Sequence, residues 1–314
     1  MILGGDLGGT KTLLALAERG NGQLRIIQQQ RFASADYASF DDLLDTFLGD
    51  APPIQAAGFG LAGPTDGQTG QLTYLPWRLS ADAICRRYGI AKVHLANDFA
   101  AAAHGIPLLE ADQIRCLHPG IAEKNAPCII LGAGTGLGVA GLLPDGNRYR
   151  VIPGEGGHIG FSPQTQQQVD LASWLLIQNG RVTTEDIVSG PGLARIYAFL
   201  SGRPQQAPCL PEVVGQTALS GSDPIARQAL DLWLACYGAF AGDLALHWLA
   251  HGGVYLAGGM AAKLMPHCDI TPFMNAFLAK REHADLVKIM PVFLSTAEDI
   301  GLSGALAIAA DAIE

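Results

Sequence analysis

Residues 129–139 read Ile129-Ile130-Leu131-Gly132-Ala133-Gly134-Thr135-Gly136-Leu137-Gly138-Val139, an apolar run broken by alternating glycines and then resumed, without a charge. Segments rich in Ile, Leu and Val are strand-like, and the glycines between them make a tight turn whose backbone N–H groups no side chain screens. The start of the chain follows the same pattern, with Met1-Ile2-Leu3, then Asp6-Leu7-Gly8-Gly9-Thr10, then Thr12-Leu13-Leu14-Ala15-Leu16. Strand, glycine turn, strand therefore occurs twice. The arrangement suits a nucleotide whose phosphates are gripped by two such hairpins, one per domain.

A chain of 314 residues exceeds the size at which one hydrophobic core usually keeps growing, so two domains are expected. Hydrophobic residues make up 49% and charged residues only 16%, against about 25% charge in a typical soluble domain. With 39 glycines, this is the profile of a turn-rich α/β enzyme. A formal net charge of -9 and the lack of any Lys/Arg run argue against a nucleic-acid partner. The six cysteines are scattered without a CxxC pair, and no secretory leader precedes the first strand, so a reducing cytoplasm is expected. Residues 125–144 carry no charge over a length that could cross a bilayer, but five glycines and two prolines interrupt them, and they read as a buried hairpin with no membrane contact.

Outward from the two hairpins, 24–27 reads as a third strand and 37–48 as a helix, with Phe40, Leu43, Leu44 and Phe47 at helical spacing. Residues 54–61 form the next strand, and 58–63 match the dinucleotide fingerprint G-x-G-x-x-G. That fingerprint needs a helix to open within its glycines, whereas Pro64-Thr65-Asp66-Gly67 is turn chemistry, so the match is taken as accidental. Ser80 caps a helix to Tyr88, and a strand at 93–96 delivers Asn97 and Asp98 at its carboxyl end, where open α/β sheets bind ligands. Asp98 then lies in the first turn of an alanine-rich helix, as a ligand-facing group or as the helix cap. Residues 107–112 mark the domain junction. Beyond the central hairpin, 154–160 place Glu155 and His158 three apart among glycines, residues 164–168 read as a polar solvent-facing patch, and Thr183 or Thr184 offers a cap with Glu185 in a first helical turn or facing a ligand. Asp223 and Pro224 open the longest helix, running to about His251. A strand ending in Gly258-Gly259, a strand at 290–294 and an apolar helix at 301–313 follow.

Taken together, Asp6-Leu7-Gly8-Gly9-Thr10, Asn97-Asp98-Phe99, Gly132-Ala133-Gly134-Thr135-Gly136, Gly154-Glu155-Gly156-Gly157-His158 and Leu256-Ala257-Gly258-Gly259 resemble the bacterial glucokinase family, in order and spacing over nearly the whole chain. The resemblance implies an α/β, two-domain actin-like ATPase (ribonuclease H-like) sugar kinase fold with mixed sheets. It places residues 1–108 plus 298–314 in a smaller N-terminal domain and 109–297 in a larger one, with a cleft between. It implies ATP-dependent phosphorylation of the 6-hydroxyl of glucose by a cytoplasmic homodimer. By position, Asp98 is the catalytic base, and Asn97, Asp98, Glu155, His158 and Glu185 are sugar ligands. The nucleotide set is Asp6, Gly8, Gly9, Thr10, Lys11, Gly132, Gly134, Thr135, Gly136, Gly258 and Gly259, with Asp6 holding Mg²⁺ through water.

Two departures bear on substrate preference: Lys11 stands where proteobacterial members usually show Asn, and Tyr74 where an Asn is common. The cysteine cluster that binds zinc in many ROK kinases is replaced by glutamines after Pro163, so no structural metal is expected. The alternatives are a kinase for another hexose or amino-sugar, a sugar-sensing regulator on the same fold, and an actin-like ATPase without a small acceptor. The regulator would need a DNA-binding module ahead of the first strand, and the ATPase leaves Glu155, His158 and Glu185 without a task.

Overall fold

The structure is a computed structural model that describes residues 1–20, 23–49, 51–146, 148–203 and 209–313. The chain divides into two compact units, Met1–Ala111 with Ala297–Glu314, and Asp112–Thr296. The expected segment 298–314 ends on Glu314, which lies outside the described residues.

The first unit is built on a five-stranded sheet in the order Gln23–Ala33, Lys11–Gly20, Ile2–Leu7, Ala56–Leu61, Lys92–Asn97. The first three strands form an antiparallel meander, and the last two run parallel to Ile2–Leu7. Alternate residues serve opposite faces. Leu3, Leu14 and Leu16 pack with Phe40, Leu43, Leu44 and Phe47 of the helix Phe40–Leu48, while Ile2, Leu13 and Ala15 pack with Leu302, Leu306 and Ala309 of the helix Ile300–Ala312. Both faces are thus covered at the middle of the sheet, which is why Ala56–Leu61 is buried throughout and reads as an unbroken run without charge, whereas the edge strand Gln23–Ala33 is polar and mostly exposed.

The fingerprint at 58–63 has a packing explanation. A Cβ on Gly58 would run into the Ala305 carbonyl, one on Gly60 would lie 2.8 Å from the Ala101 methyl, and one on Gly63 would meet the Gln71 carbonyl. The first two let the helices Ile300–Ala312 and Asp98–Gly105 settle onto the strand Ala56–Leu61. No helix opens in the motif; a turn and the small hairpin Thr69–Gln71/Arg78–Ser80 follow.

The second unit repeats the plan. Its six-stranded sheet runs Arg148–Gly154, Leu137–Asp145, Cys128–Ala133, Gly253–Ala257, Val292–Ser295, Ile114–His118. An antiparallel meander again adjoins parallel strands, here Cys128–Ala133 beside Gly253–Ala257. The helix Pro224–Trp248 crosses this core with Trp233 and Tyr237 fully buried. It is long and apolar enough to cross a membrane, yet 72% of its most apolar window is buried inside the protein, which makes it a core helix.

Several expectations need correction. Residues 164–167 are exposed as expected, but Gln168 is buried, with its Oε1 accepting the Gln164 N–H at 2.6 Å, and Thr165 caps a helix, Gln166–Asn179, that starts within the patch. Neither Thr183 nor Thr184 caps a helix. Residues 183–188 form a turn closed by Asp186, which accepts from the Thr183 N–H at 2.9 Å, and the next helix, Gly190–Leu200, is capped by Ser189. The longest helix stops at Trp248, three residues short of His251, because Leu249 takes the left-handed conformation at φ 48°. The third strand extends well beyond 24–27, to Ala33.

Candidate functional site

In the first unit, the residues singled out above gather at the carboxyl ends of neighbouring parallel strands. Asp6 pairs in register with Gly60, and Gly60 with Ala96, so Asp6 and the Asn97-Asp98 step stand two strand spacings apart, about 10 Å. Asn97 is the cap of the helix Asp98–Gly105: its Oδ1 accepts the Phe99 N–H at 2.9 Å. The sequence leaves open whether Asp98 is a ligand-facing group or the helix cap. Asp98 is the first helical residue, and its Oδ1 also receives the Phe99 N–H, at 2.8 Å, which orients the carboxylate at the sheet end.

The turn carrying Gly8, Gly9 and Thr10 closes with the Gly8 N–H on the Lys11 carbonyl at 3.0 Å. It is braced by a residue that nothing in the local sequence marks. The buried Ser34 donates its hydroxyl to the Gly8 carbonyl at 2.8 Å, shares a hydrogen bond with the Thr12 hydroxyl at 3.0 Å, and sends its N–H to the Thr10 carbonyl at 3.1 Å. Tyr74, 72% exposed, lies against the same turn, its Cβ 2.9 Å from where a Gly9 Cβ would stand. Lys11 is exposed. Burial pushes the Asp6 carboxyl above the usual carboxylate range, and the Lys11 ammonium draws it part of the way back.

In the second unit, Gly132 sits within the strand Cys128–Ala133, and Gly134, Thr135 and Gly136 form the turn into Leu137–Asp145. The turn closes with the Gly134 N–H on the Gly136 carbonyl at 2.8 Å, and the Gly190 N–H donates to the Gly134 carbonyl at 2.8 Å. Gly258 follows the neighbouring parallel strand in the left-handed region, φ 86°, and Gly259 begins the helix Gly259–Leu264. The two glycine turns border one cavity of about 770 Å³, lined by Gly134, Thr135, Gly190, Pro191, Glu212, Gln216, Gly259, Met260 and Lys263 among others. The helix Pro211–Ser220, which supplies Glu212 and Gln216, was not foreseen.

Glu155 and His158 lie in a loop with one 3-10 turn, Gly156–His158, closed by the His158 N–H on the Glu155 carbonyl at 3.0 Å. Glu155 also lines a second, largely apolar cavity of about 500 Å³ walled by Ile152, Phe161, Phe240 and Trp248. Glu185 is no helix acid: its Oε2 accepts the Leu137 N–H at 2.8 Å. Among the described residues, no group of three His, Cys, Asp or Glu side chains could hold a metal ion.

Each unit brings its own chemistry. Backbone donors in glycine turns receive phosphate, a roomy cavity beside them takes a flat heterocycle, and a strand-end carboxylate accepts a proton. A family model described as Glucokinase matches residues 3–312. A glucokinase of Nostoc punctiforme is 35% identical over 337 aligned positions, covering 99% of each chain. The crystal structure of a glucokinase from an Antarctic psychrotroph superposes with a TM-score of 0.88 at 28% identity, over 99% of this chain and 98% of that one. A ROK family glucokinase from Streptomyces griseus, in complex with glucose and AMPPNP, shares the fold with a TM-score of 0.64 at 20% identity, over 99% of each chain.

Proposed function

The chain belongs to the glucokinase family, and from that membership we propose the residue roles and reaction course by which it phosphorylates glucose with ATP. The fold is the actin-like sugar kinase fold with mixed sheets. The observation that carries the reading is the cavity of about 770 Å³ bordered by Gly134, Thr135 and Gly259. It offers a nucleoside an apolar wall at Pro191 and Met260 and polar partners at Glu212 and Gln216, with the phosphates directed to the turns.

In the proposed reaction Asp98 accepts the proton of the sugar 6-hydroxyl as that oxygen bonds to the γ-phosphorus. The β–γ bridging bond breaks and ADP departs with the electron pair. Asn97, with Oδ1 held by the Phe99 N–H, presents Nδ2 to a sugar hydroxyl, and Glu155, His158 and Glu185 hold others. Hydrogen bonds from hydroxyls to charged groups are worth roughly 1.5–3 kcal/mol each, enough for a small set to select one hexose. The Gly8-Gly9-Thr10 and Gly134-Thr135 turns supply phosphate donors, with Lys11 as a point charge beside the first. Magnesium would be held through water by one half-buried carboxylate, Asp6, because it is delivered on the nucleotide phosphates and keeps most of its water. When bound it neutralises charge on the β- and γ-phosphate oxygens.

The reading extends to a cytoplasmic homodimer. Six free cysteines suit a reducing compartment. Val169, Leu176 and Ile177, at 41%, 50% and 84% exposure, share one face of the helix Gln166–Asn179, a face that a second copy would cover. Light scattering after gel filtration gives the mass in solution. A coupled ADP-release assay over glucose, mannose, fructose, galactose and N-acetylglucosamine tests the substrate. The highest kcat/KM is expected for glucose, and a higher value for N-acetylglucosamine would move the chain to amino-sugar kinases.

A further inference from the structure

Glu185 lies where three backbone segments of the second unit meet. Its Oε2 accepts the Leu137 N–H, the first peptide beyond the glycine turn, at 2.8 Å. A Cβ on Gly136 would stand 2.6 Å from that oxygen, so glycine leaves the space the carboxylate fills. On its other side, the Glu185 N–H donates to the Gly157 carbonyl at 2.9 Å and the Thr184 N–H to the Ile159 carbonyl at 2.9 Å, fastening this segment to the loop that carries Glu155 and His158. Five residues on, the Gly190 N–H grips the Gly134 carbonyl at 2.8 Å. The phosphate turn is therefore clasped at both ends by one short stretch, 185–190, and that stretch is stitched to the sugar loop.

We propose that Glu185 is a positioning residue for the phosphate turn as well as a sugar ligand, and that a sugar hydroxyl on its Oε1 sets the turn 134–136 for the nucleotide. The proposal rests on the reading of Glu185 as a sugar ligand given above. A carboxylate held by one oxygen still swings about its last torsion; a donor on the second oxygen stops that motion and fixes the Leu137 peptide. Sugar and nucleotide then tighten each other, by the same factor in either direction.

The test is calorimetric titration of Mg·AMPPNP with and without saturating glucose, and of glucose with and without AMPPNP, on the full chain and three variants. In the parent, each ligand is expected to tighten the other by at least about five-fold. Glu185→Ala loses that coupling, weakens sugar-free AMPPNP binding about ten-fold and weakens glucose as well. Glu185→Gln keeps an acceptor for the Leu137 N–H, so sugar-free AMPPNP affinity returns to within about two-fold while glucose stays weak. Gly136→Ala pushes the carboxylate away and reproduces the alanine phenotype with Glu185 intact, which covers the case of an unfolded Glu185→Ala. Unchanged AMPPNP affinity in Glu185→Ala overturns the proposal, and weakened glucose in that same protein leaves the sugar-ligand reading standing alone. Weakened AMPPNP with unchanged glucose overturns both.

Discussion

Asp98 owes its position to its neighbours. Asn97 caps the helix, Gly60 lets that helix approach the strand beside it, and the Phe99 N–H holds one carboxylate oxygen at 2.8 Å. Asp98→Asn keeps shape and removes the proposed proton acceptor, so kcat is expected to fall by about 10²–10⁴, with glucose binding by calorimetry within a few-fold of the parent. Near-normal turnover would return the residue to a structural role. Lys11→Ala is expected to raise KM for ATP and leave that for glucose alone, as steady-state kinetics will show. His104, in the same helix, is a residue for pH. Burial lowers its pKa below the ordinary histidine value, against an opposing pull from Asp311. A depressed imidazole pKa means that the unfolded chain binds the proton more readily. The folded state is therefore undisturbed above about pH 6.5 and loses stability as pH falls from there through the folded-state value. Thermal midpoints between about pH 7 and 5 are expected to drop less steeply in His104→Gln.

At the scale of elements, the first glycine turn is held by a residue from another strand end. Ser34 lies 26 positions from Gly8 and 22 from Thr12, and is fully buried. Ser34→Ala strands the Thr12 hydroxyl and the Gly8 carbonyl, so urea unfolding is expected to show a loss of about 1–3 kcal/mol, accompanied by a higher KM for ATP. That brace was invisible in the sequence because its partners are distant along the chain. The glycine turns themselves, the caps Ser80 and Asp223 and the parallel strands leading to Asn97 were legible, since each is written within a few adjacent residues. The helix Gln166–Asn179 was not. Its buried Leu171 and Leu175 alternate with exposed Val169, Leu176 and Ile177, so no single apolar stripe stands out, and the glutamines at its start masked the Thr165 cap. Glu185 was legible as a residue and illegible as a contact, because its partner at Leu137 is 48 positions away.

At the scale of the molecule, the chain passes between its two units twice, after Ala111 and after Thr296. Asn97 and Asp98 belong to one unit and Glu155, His158 and Glu185 to the other, so on the roles proposed above a sugar engaging all five would draw the units together and exclude the water that competes as acceptor. Small-angle scattering is expected to give a smaller radius of gyration with glucose, by more than with ATP alone; an unchanged radius in an active enzyme would mean that no such drawing together occurs. The helix Ile300–Ala312 adds a consequence in time. It covers the sheet face of Ile2, Leu13 and Ala15 and packs on the helix Asp98–Gly105, yet it is made about 195 residues later, from position 105 to position 300. At synthesis rates of about 5–20 residues per second, that separation is roughly 10–40 s on the ribosome. The order of completion therefore inverts the order of synthesis. The later-translated unit, one unbroken stretch, can mature while the earlier one waits with an apolar face bare, a face open to aggregation until the last helix arrives.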